Sequence, residues 1–508
     1  MMKSRTQKAT INLISTALFE IITFASGLIL PRLILTNYGS AYNGIISSIT
    51  QFLSLVSILR LGVAGATRVA LYKTLANHDN KGTSSIVKAT ELYMRKIGVI
   101  ILVYILCLSV AYPVYLKSEY GYLNVALLVI AAGLGTFAQY FFGITYQTFL
   151  TADQSVYIYN IIQSICTIVN TAISILLILR GFSIQVVKFG SALVFVITPI
   201  ILSVYVNAKY HLDQDAIPDD KALSQKKDVM ASSLANIIHQ NTDIVVLTLF
   251  CDIKLVSVYT VYNLVMTALK KIQDIFTTGV ESIFGDMWAK REYEKISKYL
   301  NVFELIIGIF ISVAFSCTSI LLLPFIGLYT KGVMDIEYVL PQYALIICLA
   351  QLFFCFRTPY LVLVQGAGKY KETKTGAYIE AALNLGLSIL LVNFLGIIGT
   401  AIGTLVANVF RTIQYSIYID KEMIKHSFRI VIKRILWIVL NICLSYLSLN
   451  WLQGYTTESW LHWIFGGVAT LGISGIITCV SGLVFFRDDS KNTFAVIMRV
   501  FKRRIIKG

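Results

Sequence analysis

The chain has 508 residues, of which 56% are hydrophobic and only 14% are charged, and its mean hydropathy is +0.73. A soluble domain carries about a quarter charged residues, so this composition excludes a soluble globular protein and predicts an integral membrane protein. A net charge of +16 is typical of nucleic-acid-binding proteins, but the placement of the basic residues argues against that function.

Apolar segments long enough to cross a membrane recur along the whole chain. A transmembrane helix needs roughly 20 apolar residues at a rise of about 1.5 Å per residue. The run that follows the N-terminus reaches about Leu35, which is too long for the apolar part of a signal peptide, so we interpret it as a retained first helix. The sequence predicts about fourteen spans, near residues 11–35, 44–69, 97–116, 122–149, 156–179, 184–206, 229–250, 255–283, 299–323, 339–364, 375–394, 397–419, 431–452 and 461–486.

Basic residues are concentrated in alternate connections between these segments. Most of the 43 Lys and Arg residues fall in connections such as 73–96, 209–227 and 421–434, or in the C-terminal tail. This asymmetry is the positive-inside bias, so both termini are predicted to be cytoplasmic, and the basic balance needs no nucleic acid to explain it. The tail end 499–508 is interpreted as a topology anchor, with contact to anionic lipid as the alternative. Connections on both sides are short, so no soluble catalytic domain is predicted.

The eight cysteines all lie in apolar runs, with no CxxC pair. Buried free thiols explain them, and neither a metal site nor a disulfide framework is predicted. The segment Gly366–Lys369 (GAGK) lacks the spacing and the Ser or Thr of a phosphate-binding loop. No cofactor is therefore expected.

Two pairs of motifs indicate an internal duplication. AQYFF at 138–142 in the fourth span returns as AQLFF at 350–354 in the tenth. A polar face on the first span, which includes Asn12 and Glu20, has a counterpart on the seventh in Asn236, Gln240 and Asp243. An even number of spans per half gives both halves the same orientation. The predicted organisation is an N-terminal six-helix lobe (1–206), a cytoplasmic linker (207–228), a C-terminal six-helix lobe (229–419), and two additional helices with a basic tail (420–508).

Several ionisable residues lie well inside the predicted spans, where each costs roughly 2.5–3.5 kcal/mol unless it meets water or an opposite charge. The deep cations outnumber the deep anions, so we predict a net positive cavity that takes an anionic substrate, with Arg suited to bidentate phosphate binding. The deep cations are Arg60, Lys270, Lys271, Arg357 and Arg411, and the deep anions are Glu20, Asp243 and Asp274.

Simpler explanations exist for some of these charges. Lys270 and Asp274 are spaced to neutralise each other along one helix face, and Arg32 lies near a span end from which it can reach the headgroups. Glu304 and Glu380 lie close to the predicted inner interface and are given no role. Arg60, Arg357 and Arg411 have no acidic residue one helical turn away, which favours the cavity.

The architecture, together with LPRLILTNYG at 30–39 and LRLGVAG at 59–65, resembles the polysaccharide transporters of the multidrug/oligosaccharidyl-lipid/polysaccharide (MOP) superfamily, the Wzx-type flippases. The resemblance implies a non-enzymatic, multi-pass protein of the bacterial cytoplasmic membrane. Its expected substrate is an undecaprenyl-diphosphate-linked oligosaccharide, exported by alternating access for capsule, exopolysaccharide or O-antigen assembly, with a polysaccharide polymerase as a candidate partner.

The related lipid II flippases bind the diphosphate through cavity arginines on the first, second and eighth spans. The resemblance therefore adds Arg32 to Arg60 as a candidate, while the eighth span here offers Lys270 and Lys271 instead of arginine. The two additional spans resemble those that shape a lipid-tail groove. Glu20, Asp243 and Asp274 are candidates for coupling to protons or sodium.

Two other functions fit parts of the pattern. A multidrug/cation antiporter of the same superfamily would share the fold, but cationic drugs favour an acidic cavity. A membrane glycosyltransferase or polymerase would be an enzyme, and the Asp219-Asp220 doublet is the feature closest to a metal–sugar site. Solvated charge in a polar linker is the commoner explanation of that doublet.

Overall fold

The computed structural model describes residues 5–116, 119–213, 215–219, 241–277, 279–491 and 493, and all regular structure in these residues is helical. Within the hydrocarbon region a helix pairs its backbone groups inside its own segment, which explains why apolar sequence of this kind becomes helix. Asp220, Asn236, Gln240 and the tail 499–508 lie outside the described residues.

Two compact units divide the chain between Val245 and Val246. The first unit contains α1 to α7, and α8 extends across the boundary in sequence. The bounds are α1 Arg5–Leu55, α2 Ile58–Ala76, α3 Asn80–Tyr115, α4 Tyr122–Ala138, α5 Ile144–Ala152, α6 Val156–Leu179, α7 Ile184–Tyr210 and α8 Asn241–Phe250. A π-helical turn, Gln139–Gly143, joins α4 to α5.

The second unit contains the remaining helices. Their bounds are α9 Ile253–Thr277, α10 Val280–Ala289, α11 Tyr293–Tyr329, α12 Pro341–Phe356, α13 Thr358–Gly366, α14 Tyr370–Leu395, α15 Ile397–Ile419, α16 Phe428–Leu449, α17 Leu452–Thr456 and α18 Trp460–Phe485. A π-helical turn, Asp420–Ile424, follows α15.

Each unit shows the same pattern of helix neighbours. In the first unit α3 packs against α4, α4 against α7, and α6 against α7; in the second, α11 packs against α12, α12 against α15, and α14 against α15. The motif at 138–142 meets the π-helical turn between α4 and α5, and the motif at 350–354 comes just before the break at Arg357 between α12 and α13. A duplicated six-helix unit would produce this packing.

Eleven helices in the described residues are long and apolar enough to cross a membrane. The protein is therefore a multi-pass membrane protein, and the expectation of an all-helical membrane fold is confirmed. Three predicted spans are not among the eleven. The span at 44–69 is divided between the end of α1 and the start of α2, 229–250 is described only from Asn241, and 255–283 carries Lys270, Lys271 and Asp274 within α9. The count of fourteen and the cytoplasmic termini remain predictions.

Gly39 separates the first predicted span from the second inside α1. Its backbone has φ 86° and ψ 173°, a conformation that residues with a Cβ rarely adopt. The chain changes direction there without a loop, so the connection depends on this glycine.

We expect Gly39→Ala to lower the free energy of unfolding by about 1–3 kcal/mol, because Ala at this φ and ψ is strained. The measurement is the thermal unfolding midpoint of the purified protein in detergent. Gly27→Ala is the matched control, since Gly27 lies on the same helix and a Cβ there would meet no atom within 4 Å. Equal midpoints for the Gly39 variant and the wild type would contradict the assignment.

Candidate functional site

Two buried arginines in the second unit share one carboxylate. Arg357 lies between α12 and α13, Glu380 lies on α14, and Arg411 lies on α15. Arg357 Nη1 donates a hydrogen bond to Glu380 Oε1, and Arg411 Nε is 3.4 Å from Glu380 Oε2. All three side chains are less than 10% exposed. We call Arg357, Glu380 and Arg411 the arginine–glutamate cluster.

The guanidinium of Arg411 is held by further partners. It donates to the carbonyl oxygen of Thr373 at 3.0 Å, to Gln414 Oε1 at 2.9 Å and to the hydroxyl of Tyr415 at 2.6 Å, and it lies 4.1 Å from the centroid of the Tyr415 ring. A Cβ added at Gly376 would collide with Arg411 Nη1. The glycine therefore leaves the space into which this guanidinium fits.

Two cations contact the ring of Phe354, one turn before Arg357. Arg357 Cζ is 4.6 Å from the ring centroid and Lys270 Nζ is 5.1 Å from it. Asp274, one turn along α9, acts electrostatically on Lys270. Together with the arginine–glutamate cluster, these residues comprise three cations and two carboxylates, so the group keeps a net charge of +1. A desolvated positive charge attracts an anion more strongly than the same charge in water.

The remaining candidates differ in exposure and position. In the first unit Arg32 and Arg60 are half-buried, Glu20 is exposed and Asp243 is 8% exposed. Arg60 acts electrostatically on Tyr140 and Tyr159. In the second unit Lys271 is exposed. The structure thus brings Lys270, Asp274, Arg357 and Arg411 into one neighbourhood.

The predicted environment of Arg357 and Arg411 requires correction. Both are predicted to line an aqueous cavity, with no acidic residue one turn away, and Glu380 is predicted to have no role, whereas the structure buries all three side chains together. Neither arginine has an acidic residue one turn away on its own helix, and Glu380 lies 23 and 31 residues from them along the chain. Small and polar residues at Thr373, Gly376, Glu380, Asn384 and Ser388 mark one buried face of α14 and are the signal that could have found it.

A second buried ionic cluster was also missed. Arg434 on α16 is fully buried; its Nη2 donates to Asp489 Oδ2 at 2.6 Å and to the carbonyl oxygen of Asn301 at 3.2 Å, and its Nε is 3.7 Å from Glu304 Oε2. His426 Nε2 is 2.9 Å from Glu304 Oε1. Arg434 is predicted to end a cytoplasmic connection and Glu304 to lie close to the inner interface, whereas in the structure the two residues join α16 to α11.

The described residues include no metal-binding group, and the tyrosines near the charges are buried. No group of three or more His, Cys, Asp or Glu side chains among them is arranged to hold a metal ion. Tyr140, Tyr146, Tyr262 and Tyr360 are each at most 5% exposed, so these aromatic side chains near the charges serve packing.

No family model matches the sequence, and no curated protein matches it. Solved structures do match. Lipid II flippase MurJ in an inward closed conformation aligns with a TM-score of 0.66 and 15% identity, covering 93% of this chain and 99% of that one. An inward-facing multidrug resistance MATE family transporter of the MOP superfamily aligns with a TM-score of 0.59 and 15% identity, covering 82% of this chain and 99% of that one. The MATE multidrug transporter DinF-BH aligns with a TM-score of 0.59 and 13% identity, covering 82% of this chain and 95% of that one.

At these identities the likeness concerns the fold. The chain has the fold of these solved transporters, so the all-helical transporter fold expected from the resemblance is confirmed. What each neighbour moves is a property of that neighbour.

We expect Glu380→Gln to lower the free energy of unfolding by roughly 3–5 kcal/mol, because two buried guanidinium groups would lose their counter-charge. Thermal unfolding in detergent measures this. Glu372→Gln is the matched control on the same helix, since Glu372 pairs with Lys369 at the exposed surface and should leave the midpoint unchanged. A Glu380 variant as stable as the control would mean that the cluster does not stabilise the second unit.

We expect Arg434→Met to destabilise the protein by a similar amount, roughly 3–5 kcal/mol, because Glu304 would be left buried beside His426 alone. The exposed neighbour Lys433 provides the control, Lys433→Met. Hydrogen exchange should rise mainly in α11 and α16, the helices that this cluster joins. Protection equal to that of the wild type in both helices would contradict the role assigned to Arg434.

Proposed function

We propose that this protein is a flippase that exports undecaprenyl-diphosphate-linked oligosaccharides across the bacterial cytoplasmic membrane for surface polysaccharide assembly. The observation that carries the proposal is the net positive charge retained among the membrane helices by Lys270, Arg357 and Arg411 against Glu380 and Asp274. A charge of this sign favours an anionic substrate, and a diphosphate is the anion that arginine and lysine bind best. The fold supports the proposal, because MurJ, which shares it, is a lipid II flippase.

The cations divide into two roles in this proposal. The candidates for direct contact with the diphosphate are Arg60 and Arg32 in the first unit and Lys270 and Lys271 in the second; Arg60 and Lys270 are half-buried. Arg357 and Arg411 are occupied by Glu380, so they supply the positive field, and Arg357 also holds Phe354 against Lys270. A diphosphate that displaces the Glu380 carboxylate would meet two guanidinium groups already in place.

The lipid tail needs an apolar surface beside the helices. Leu436 and Leu447 on α16 and Val468 and Val484 on α18 are all more than 60% exposed, as expected of side chains that face lipid. We propose that the tail lies against these two helices. The Arg434–Glu304 contact ties the first of them, α16, to α11. The diphosphate head then crosses while the tail remains in lipid.

Transport against a gradient needs an energy source. An inside-negative potential favours outward movement of an anion by about 2.3 kcal/mol per net charge per 100 mV. Glu20, Asp243 and Asp274 are the candidates for additional coupling to protons or sodium. A polysaccharide polymerase, which consumes the exported unit, is the proposed partner.

A multidrug antiporter is the second candidate, because MATE transporters share the fold. The cation excess disfavours it, since a cationic drug would meet like charge. A membrane glycosyltransferase is the third candidate. Deleting the gene separates the flippase from the enzyme: a complete lipid-linked unit accumulates on the cytoplasmic leaflet if the flippase is lost, and an unfinished unit accumulates if the enzyme is lost.

We expect Arg60→Gln to lower the rate of flipping by about 10- to 100-fold, because one charged hydrogen bond contributes about 1.5–3 kcal/mol. The assay is complementation of the deletion strain, read as lipid-linked oligosaccharide that remains on the cytoplasmic leaflet at equal protein abundance. Arg68→Gln is the control, since Arg68 is exposed on the same helix. Wild-type flipping by the Arg60 variant, or an equal loss in both variants, would reject the role given to Arg60.

A further inference from the structure

A cavity of about 250 Å³ lies within the first unit, between α4, α5, α6, α7 and the π-helical turn. Side-chain amides line it at Gln139, Gln147 and Gln163. We call this space the glutamine cavity. π-Helical turns are frequent at functional sites, and Gln139 is the first residue of this one.

The three amides lack protein partners. Within the part of the chain that the structure describes, no side-chain hydrogen bond is formed by Gln139, Gln147 or Gln163. Gln139 lies about 25 Å along the helix axis from Tyr122, at 1.5 Å per residue, and so well inside the span Tyr122–Ala152. An unpaired amide in a hydrocarbon environment costs about 2–7 kcal/mol. The amides must therefore meet water or a polar ligand in this cavity.

The remaining lining residues define the chemistry of that ligand. Among the described residues that line the cavity, none carries a charge. Thr136 and Thr198 add hydroxyl groups, while Tyr159 and Phe195 add aromatic surface. A side-chain amide offers two N–H donors and one carbonyl acceptor, which suits neighbouring hydroxyl groups that donate and accept. The lining fits a neutral ring with hydroxyl groups at its edge and C–H groups on its faces.

The size and the position of the glutamine cavity further define the ligand that it can hold. At about 30 Å³ per water molecule, the cavity has the volume of about eight waters, which is room for one sugar ring. Tyr159 lines the cavity and also lies in electrostatic range of Arg60. In a lipid-linked oligosaccharide, one sugar is bonded directly to the diphosphate. A diphosphate near Arg60 would therefore place that sugar close to the glutamine cavity.

We propose that the glutamine cavity binds one uncharged sugar ring of the substrate, through Gln139, Gln147 and Gln163. This inference rests on the proposed flippase function and extends it, because it assigns recognition of the oligosaccharide to residues separate from the cations that attract the diphosphate. A site built to hydrogen-bond hydroxyl groups discriminates against ligands that lack them, since its own polar groups would stay unpaired.

The test compares two lipids on the purified full-length protein. One probe is the lipid-linked oligosaccharide extracted from the host membrane, and the other is undecaprenyl diphosphate without sugar. We expect the wild type to bind the sugar-bearing lipid more tightly. Gln139→Met and Gln163→Met should each weaken that binding by about 10-fold, the factor for one hydrogen bond of about 1.4 kcal/mol, and leave binding of the bare lipid unchanged.

Controls separate this proposal from the proposed function. Gln185→Met on α7 is the matched variant, because Gln185 is half-buried and lies outside the lining; it should bind both lipids as the wild type does. Arg60→Gln should weaken both lipids equally. Oligosaccharide released from the lipid by mild acid should compete with the sugar-bearing lipid on the wild type, a measurement that needs no variant.

Two outcomes would contradict the sugar site, and a third would contradict the flippase function. Unchanged binding of the sugar-bearing lipid by both glutamine variants would overturn the sugar site. An equal loss for both lipids would also overturn it, because the amides would then act on the diphosphate or on folding. A wild type that binds neither lipid would reject the flippase function itself.

Discussion

An ionised side chain among membrane helices must find an opposite charge, a polar partner or water, and this requirement organises the second unit. In the second unit Glu380 satisfies it for Arg357 and Arg411, while Glu304 and Asp489 satisfy it for Arg434. The first cluster ties the break between α12 and α13 to α14 and α15, and the second ties α16 to α11. The same buried charges thus hold these helices together and leave a net positive charge around Arg357 and Lys270.

Much of the fold could be predicted because hydropathy reports on the solvent of a segment. Long apolar runs predicted most helices, and an isolated pair of five-residue motifs marked the two interrupted helices, at 138–142 and 350–354. The spans at 44–69 and 255–283 were harder to delimit. One change of direction depends on the φ of Gly39 without any loop, and α9 carries four charges that lower its hydropathy. Hydropathy averaged over about 20 residues does not detect the backbone conformation of one residue or a few charges within an apolar helix.

The site was predicted less completely, for a related reason. Hydropathy places a residue along its own helix but does not show which helix its side chain faces, so the predicted surroundings of Arg357 and Arg411 were wrong. Their partner Glu380 is distant in sequence, and Arg434 finds its counter-charges on two other segments. The glutamine cavity was missed because isolated glutamines on three helices form no sequence motif. Only packing shows that their amides share one space and have no side-chain partner among the described residues.

Export of an anionic lipid by this protein is tested most directly with liposomes that contain the purified chain and two probes. One is the undecaprenyl-diphosphate-linked oligosaccharide, whose movement between leaflets is followed, and the other is ethidium, an organic cation that represents the multidrug alternative. The positive charge retained around Arg357 and Lys270 predicts that the oligosaccharide lipid crosses and that ethidium does not accumulate. Accumulation of ethidium without movement of the lipid, or leaflet exchange no faster than in protein-free liposomes, would contradict the account.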